Sequence, residues 1–82
     1  MANEEPHIGT RLRDARDAKG MTQRKLAELT GCHDQEISRY ERGAIEPRTE
    51  RIEELAKALG VSPGWLLFGE ANQPPSVPEA AA

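Results

Sequence analysis

The sequence predicts an all-α domain of five short helices, and three observations carry that prediction. Apolar residues recur at spacings of three and four in several separate runs. Glycines stand where those runs should stop, at Gly20, Gly31, Gly43, Gly60 and Gly69. No run alternates apolar and polar residues as a half-buried strand would, and no internal repeat is present. The five helices fall within residues 7–69 of an 82-residue chain. Residues 1–6 are expected to be a flexible N-terminus and residues 70–82 a flexible tail or linker.

Helix 1 is expected from His7 to Lys19, with Ile8, Leu12 and Ala15 on one stripe. Thr22 caps helix 2, its hydroxyl available to an orphan backbone N–H. Leu26, Ala27 and Leu29 are expected to point inward. Gly31 permits the positive φ that a sharp turn needs. Helix 3 starts near His33 or Asp34 and runs to Gly43, with Asp34 and Glu36 at the positive end of its dipole. Ile37 and Tyr40 form its apolar pair. A loop closed by Pro47 leads to helix 4, Thr49 to Leu59, with Ile52, Leu55, Ala56 and Leu59 on one face. Ser62-Pro63 opens a short helix 5 through GWLLF, a cap followed by the proline favoured at the first helical position. The remainder, EANQPPSVPEAAA, has three prolines and no apolar period.

Composition narrows the function classes. A chain this short is one domain and buries a modest core. It has no stretch of about 18 apolar residues, so no membrane span is expected. Its opening, MANEEPH, lacks the basic-then-apolar order of a secretory signal. The only cysteine is Cys32, so no internal disulfide can form, which fits a reducing cytoplasm. Cys32 and His33 are adjacent and only His7 could add a third ligand, so Cys32 reads as a small apolar plug in a turn and no metal is expected. No nucleophile–base pair, metal cluster or phosphate-binding glycine loop is evident. No enzymatic activity and no cofactor are therefore expected.

The net charge is −3. It is unevenly spread. Residues 1–48 are neutral, their basic side chains (Arg11, Arg13, Arg16, Lys19, Arg24, Lys25, Arg39, Arg42 and Arg48) matched by as many acids. The deficit lies in residues 49–82, where Arg51 and Lys57 face Glu50, Glu53, Glu54, Glu70 and Glu79. Such a dipolar chain can still present a basic face, with weak non-specific affinity for nucleic acid.

Residues 22–43, TQRKLAELTGCHDQEISRYERG, are the most informative stretch. Two helical patterns, TQRKLAEL and DQEISRYE, are joined through TGC. So short a connection forces a steep crossing, which is a helix-turn-helix. The second helix of such a pair typically lies in the major groove of DNA.

The spacing resembles that of the phage-repressor-like helix-turn-helix proteins, the Xre or Cro/repressor type, over about residues 7–69. Gln23 starts helix 2, the small Ala27 follows four residues on, Gly31 is in the turn, and Ile37 is the core residue of helix 3. The run ISRYERG, the Pro47 loop, LAKALGVS and WLL complete the match. The chain departs from the pattern in places: His33 stands where Ser or Thr often caps helix 3, Arg48 where Ser often follows the loop proline, and two acids, Asp34 and Glu36, stand near the DNA-facing end of helix 3. The resemblance implies a compact five-helix lambda-repressor-like domain. It also implies a bacterial or phage transcriptional regulator, a repressor by expectation, bound to double-stranded DNA.

On a helical period Asp34, Gln35, Ser38 and Arg39 point away from the core. By resemblance, Asp34, Gln35 and Arg39 hold base-reading positions. Gln35 suits adenine N6 and N7, Arg39 guanine O6 and N7, and Asp34 cytosine N4. Glu36, at the edge of this face, is expected either to cap backbone N–H groups or to repel wrong sequences. Gln23, with the N–H groups opening helix 2 and help from Thr22, is expected to hold a phosphate. Arg42 and Arg48 flank a loop that by resemblance follows the DNA backbone. Arg11, Arg24 and Lys25 read first as solvated charges. The resemblance further implies a partly buried ion pair between Arg16 and Glu41 that fixes helix 3 on helix 1.

Trp65, Leu66, Leu67 and Phe68 cannot all face one core. One or two, Trp65 or Leu66 first, are expected to close it, and the run is also read as a dimer interface built from Trp65, Leu66 and Phe68. A homodimer would set two recognition helices about 34 Å apart and read a palindromic operator. The alternative reading is a protein-interaction module, such as an antitoxin or the targeting domain of a larger protein.

Overall fold

The computed structural model describes residues 7–69. They form α1 (Ile8–Ala18), α2 (Gln23–Thr30), α3 (Asp34–Arg42), α4 (Thr49–Leu59) and α5 (Pro63–Phe68). The order and number of helices agree with the sequence-based expectation, and α4 has the expected bounds. Helix α1 is one residue shorter at each end than expected, because His7 and Lys19 serve as its caps. Three of the caps are built from side chains. His7 Nδ1 accepts from the Gly9 N–H, Thr22 Oγ1 from the Lys25 N–H and Ser62 Oγ from the Trp65 N–H.

Each helix sends at least one large side chain into a single interior. Leu12, Leu26, Ile37, Leu55, Leu59 and Leu66 are all fully buried. Full burial of such a side chain is worth about 1.5–3 kcal/mol against leaving it in water. Helix α3 packs on α1 and α2, α4 supports α2, and α5 closes the open end against α1 and α4. Helices α1 and α3 meet backbone to backbone. A Cβ at Gly9 would lie 2.1 Å from the Tyr40 carbonyl oxygen and 2.8 Å from that of Glu41. Only glycine lets α1 meet α3 at that distance. The apolar stripe of α1 gave no hint of this, since Gly9 adds nothing to a hydrophobic pattern.

Two expectations need correction. Leu29 is 51% exposed. It lies three residues beyond Leu26 and two beyond Ala27, and α2 turns it toward solvent beside Ala58 and Lys57 of α4. Trp65 and Leu66 are 4% and 0% exposed. Both are spent on the core of the monomer and are unavailable as a dimer surface. Phe68, at 72% exposure, and Leu67 remain outside. The Trp65 indole N–H is buried with no acceptor among the described residues. Such an orphan costs about 1–3 kcal/mol, which burial of the large ring offsets.

Candidate nucleic-acid interface

The connection between α2 and α3 is three residues long, Gly31 to His33. Gly31 adopts φ 72°, and the Cys32 N–H returns to the Ala27 carbonyl at 3.0 Å. The chain thus reverses within one left-handed residue. Thr30 Oγ1 donates back to the Leu26 carbonyl at 2.9 Å. Cys32 is half-buried against the core, as expected of a plug. Arg51 of α4 braces the turn from outside. Its Nη1 donates to the Thr30 carbonyl at 2.7 Å and to Glu54 Oε1 at 2.9 Å, while Nε lies 3.6 Å from Glu36 Oε2. The angle between the two helices is therefore fixed by a glycine, a back-bonded threonine and one arginine.

The turn leaves α3 with two unlike sides. Ile37 and Tyr40 are buried, and Glu41 is drawn in with them. Asp34, Gln35 and Arg39 are exposed, with Ser38 half-buried beside them. None of these four side chains has a hydrogen-bond or ion-pair partner among the described residues, so their donors and acceptors are open to solvent. Asp34, Gln35, Ser38 and Arg39 lie within two turns of the helix. His33 caps α3 without a side-chain bond.

Glu36 is engaged by side chains and does not cap backbone N–H groups. Its Oε2 accepts from the Tyr40 hydroxyl and faces Arg51. Burial, reinforced by that bond to Glu36, pushes the Tyr40 hydroxyl up to about 12. The carboxylate is thereby held against α4 rather than at the end of α3.

Arg16 and Glu41 form the pair that the resemblance implies. Arg16 Nε donates to Glu41 Oε2 at 2.6 Å and Nη2 to Oε1 at 3.1 Å, a two-pronged contact. Arg16 Nη1 also donates to the Met21 carbonyl at 2.8 Å. The bond to Glu41 raises the Arg16 guanidinium further above its ordinary value. Because the Glu41 side chain is only 4% exposed, removing Arg16 would strand a buried charge. Gln23 joins this pair, its Nε2 donating to Glu41 Oε1 at 3.0 Å. That contact was not legible from spacing, since it joins residues on separate helices.

The basic residues separate into two groups. Arg42 and Arg48 are exposed on either side of the loop that ends in the buried Pro47, and neither is paired among the described residues. Thr22 is exposed at the start of α2, its hydroxyl oxygen already accepting from Lys25 N–H. Arg11, by contrast, donates from Nε to the Leu66 carbonyl at 2.8 Å and from Nη2 to the Leu67 carbonyl at 2.7 Å. It satisfies the end of α5. No group of three or more possible metal ligands is clustered among the described residues. No described helix is long and apolar enough to cross a membrane.

Comparison with known proteins agrees with this geometry. A family model described as helix-turn-helix matches residues 12–66. The HTH-type transcriptional regulator DicA of Escherichia coli is 38% identical over 71 residues, which is 87% of this chain and 53% of DicA. Repressor protein C2 of Salmonella phage P22 is 36% identical over 66 residues, 80% of this chain and 31% of the repressor. The crystal structure of the P22 c2 repressor protein with a synthetic operator superimposes with a TM-score of 0.77 at 35% identity. That superposition covers 80% of this chain and all of the other. The chain thus spans about half the length of DicA and less of the P22 repressor. Similarity to regulators and repressors supports the regulator reading over the interaction module.

Proposed function

The chain belongs to the phage-repressor-like, Xre/Cro-type helix-turn-helix family, and on that premise we propose that it regulates transcription, as a repressor, by sequence-specific binding to duplex DNA. Helix α3 enters the major groove with its outer side toward the bases. Gln35 and Arg39 read adenine and guanine, with Asp34 and Ser38 beside them. The start of α2, with Thr22 and Gln23, and the loop between Arg42 and Arg48 rest on phosphates on either side. The observation that carries the reading is the exposed row Asp34, Gln35 and Arg39, unpartnered among the described residues, on a helix whose other side is locked into the core.

The net charge of −3 argues for specific contacts over bulk attraction. Two copies, meeting through the exposed Leu67 and Phe68, would bind a palindromic operator with half-sites about 34 Å apart. Selection of binding sites from a random pool of duplex DNA tests the proposal. Enrichment of one inverted-repeat sequence is the expected result. A pool that stays random after repeated rounds overturns it.

A further inference from the structure

Gln23 is held from behind by a group that lies on another helix. Its Nε2 donates to Glu41 Oε1, which also accepts from Arg16 Nη2. An ionised carboxylate accepts and never donates, so the side of the Gln23 amide turned toward Glu41 must be its NH2 group. That group has two hydrogens, which diverge in the amide plane. One is taken by Glu41, whose side chain is buried. The other leads away from the buried carboxylate, on a residue that is itself half-exposed. Gln23 is also the first residue of α2, and the Thr22 hydroxyl satisfies only the Lys25 N–H. The backbone N–H groups of Gln23 and Arg24 stay without intrahelical acceptors at the same end.

We propose that Glu41 is the positioning residue of the α2 phosphate contact: it fixes the Gln23 amide so that the free side-chain N–H and the helix-opening backbone N–H groups converge on one DNA phosphate. This rests on the reading that the start of α2 meets the DNA backbone. Without Glu41 the amide is free to turn its carbonyl outward, where it would face the phosphate oxygens with a lone pair. Arg16 completes the arrangement by gripping both oxygens of Glu41 and stopping the carboxylate from rotating. The ion pair that ties α3 to α1 thus also preorganises a contact made by α2, and binding need not spend free energy ordering that side chain.

The test is a double-mutant cycle on a mixed-sequence duplex of about 20 base pairs at low salt, where phosphate contacts dominate. Gln23→Ala and Glu41→Gln are each expected to weaken binding, measured by fluorescence anisotropy, by about tenfold, the size of one hydrogen bond to a charged group. The double variant is expected to bind no more weakly than either single one. If Gln23→Ala costs the same factor with and without Glu41, the two act independently; the proposal fails while the phosphate contact stands. If Gln23→Ala costs nothing in the parent protein, the phosphate reading and the proposal fail together.

Should Glu41→Gln not fold, NMR of the parent protein gives the same answer. One Gln23 side-chain amide hydrogen should exchange slowly, and the other should shift when the duplex is added. Equal exchange of both overturns the proposal.

Discussion

On the outer side of α3, Asp34, Gln35 and Arg39 stand in solvent with no side-chain partner among the described residues, whereas on the inner side Glu36, Tyr40 and Glu41 are all engaged. Residue type does not separate the two groups, since each contains a carboxylate. Position does. Asp34 and Glu36 are neighbours but one in sequence, yet one opens to solvent and the other binds Tyr40 and faces Arg51 of α4. A polar residue on α3 is open to a ligand only where no other element of the protein binds it. The bound row makes the free row rigid. Glu41 reaches to α1 and α2, and Glu36 to α4, so α3 is tied at both edges.

The severest way to break this arrangement is at the backbone crossing beneath it. Gly9→Ala would push a methyl into the Tyr40 and Glu41 carbonyls, neither of which can move without moving α3. We expect a loss of about 3 kcal/mol or more, at the upper end for overpacking. Urea denaturation followed by circular dichroism measures it. A variant as stable as the parent would mean that α1 and α3 can separate cheaply, and that the inner side of α3 does not hold it in place.

Gly9 also marks where the sequence stops being informative. Helical periods named Leu12, Leu26, Ile37, Leu55 and Leu59 as core, because burial follows directly from spacing along one helix. Glycine and Pro63 fixed the helix ends for the same local reason. What pattern could not supply was anything settled between helices. The bond of Gln23 to Glu41, the brace of Arg51 on Thr30 and the reach of Arg11 to the end of α5 all join residues more than 15 apart in sequence. Trp65 and Leu66 illustrate the same limit. The run of four large apolar residues put Trp65 and Leu66 first for the core, where both lie, but only the packing of α5 on α1 and α4 shows that neither is left for a dimer surface. The Arg16–Glu41 pair is the exception among these, and it was legible only through resemblance to a family.

On the outer side, Arg39→Ala should leave stability nearly unchanged, because the side chain is exposed and makes no hydrogen bond or ion pair with another described residue. If Arg39 forks onto a guanine, specific binding should weaken by about 1–3 kcal/mol and the preference at one base pair should relax. Binding measured on the selected operator and on single-base variants of it separates the outcomes. An equal loss on every sequence would make Arg39 a phosphate contact and remove it from the reading row.

The smallest effect expected lies at Tyr40, and it is also the one that distinguishes the inner side by pH. Tyr40→Phe keeps the buried ring and removes one hydrogen bond to Glu36, which retains Arg51, so the cost near neutral pH should be about 1 kcal/mol. The parent should behave differently in alkali. The Tyr40 hydroxyl is held up to about 12 by burial and by Glu36, while in the unfolded chain it titrates near its ordinary 10. Above pH 10 the unfolded state therefore loses its proton first. The stability contributed by the protonated hydroxyl is complete below pH 10 and disappears as the pH rises through 12. The Phe variant has no such group. Its stability, followed by urea midpoints between these limits, should fall less steeply than that of the parent. Parallel profiles would show that Tyr40 is not the group that locks the inner side of α3 to α4.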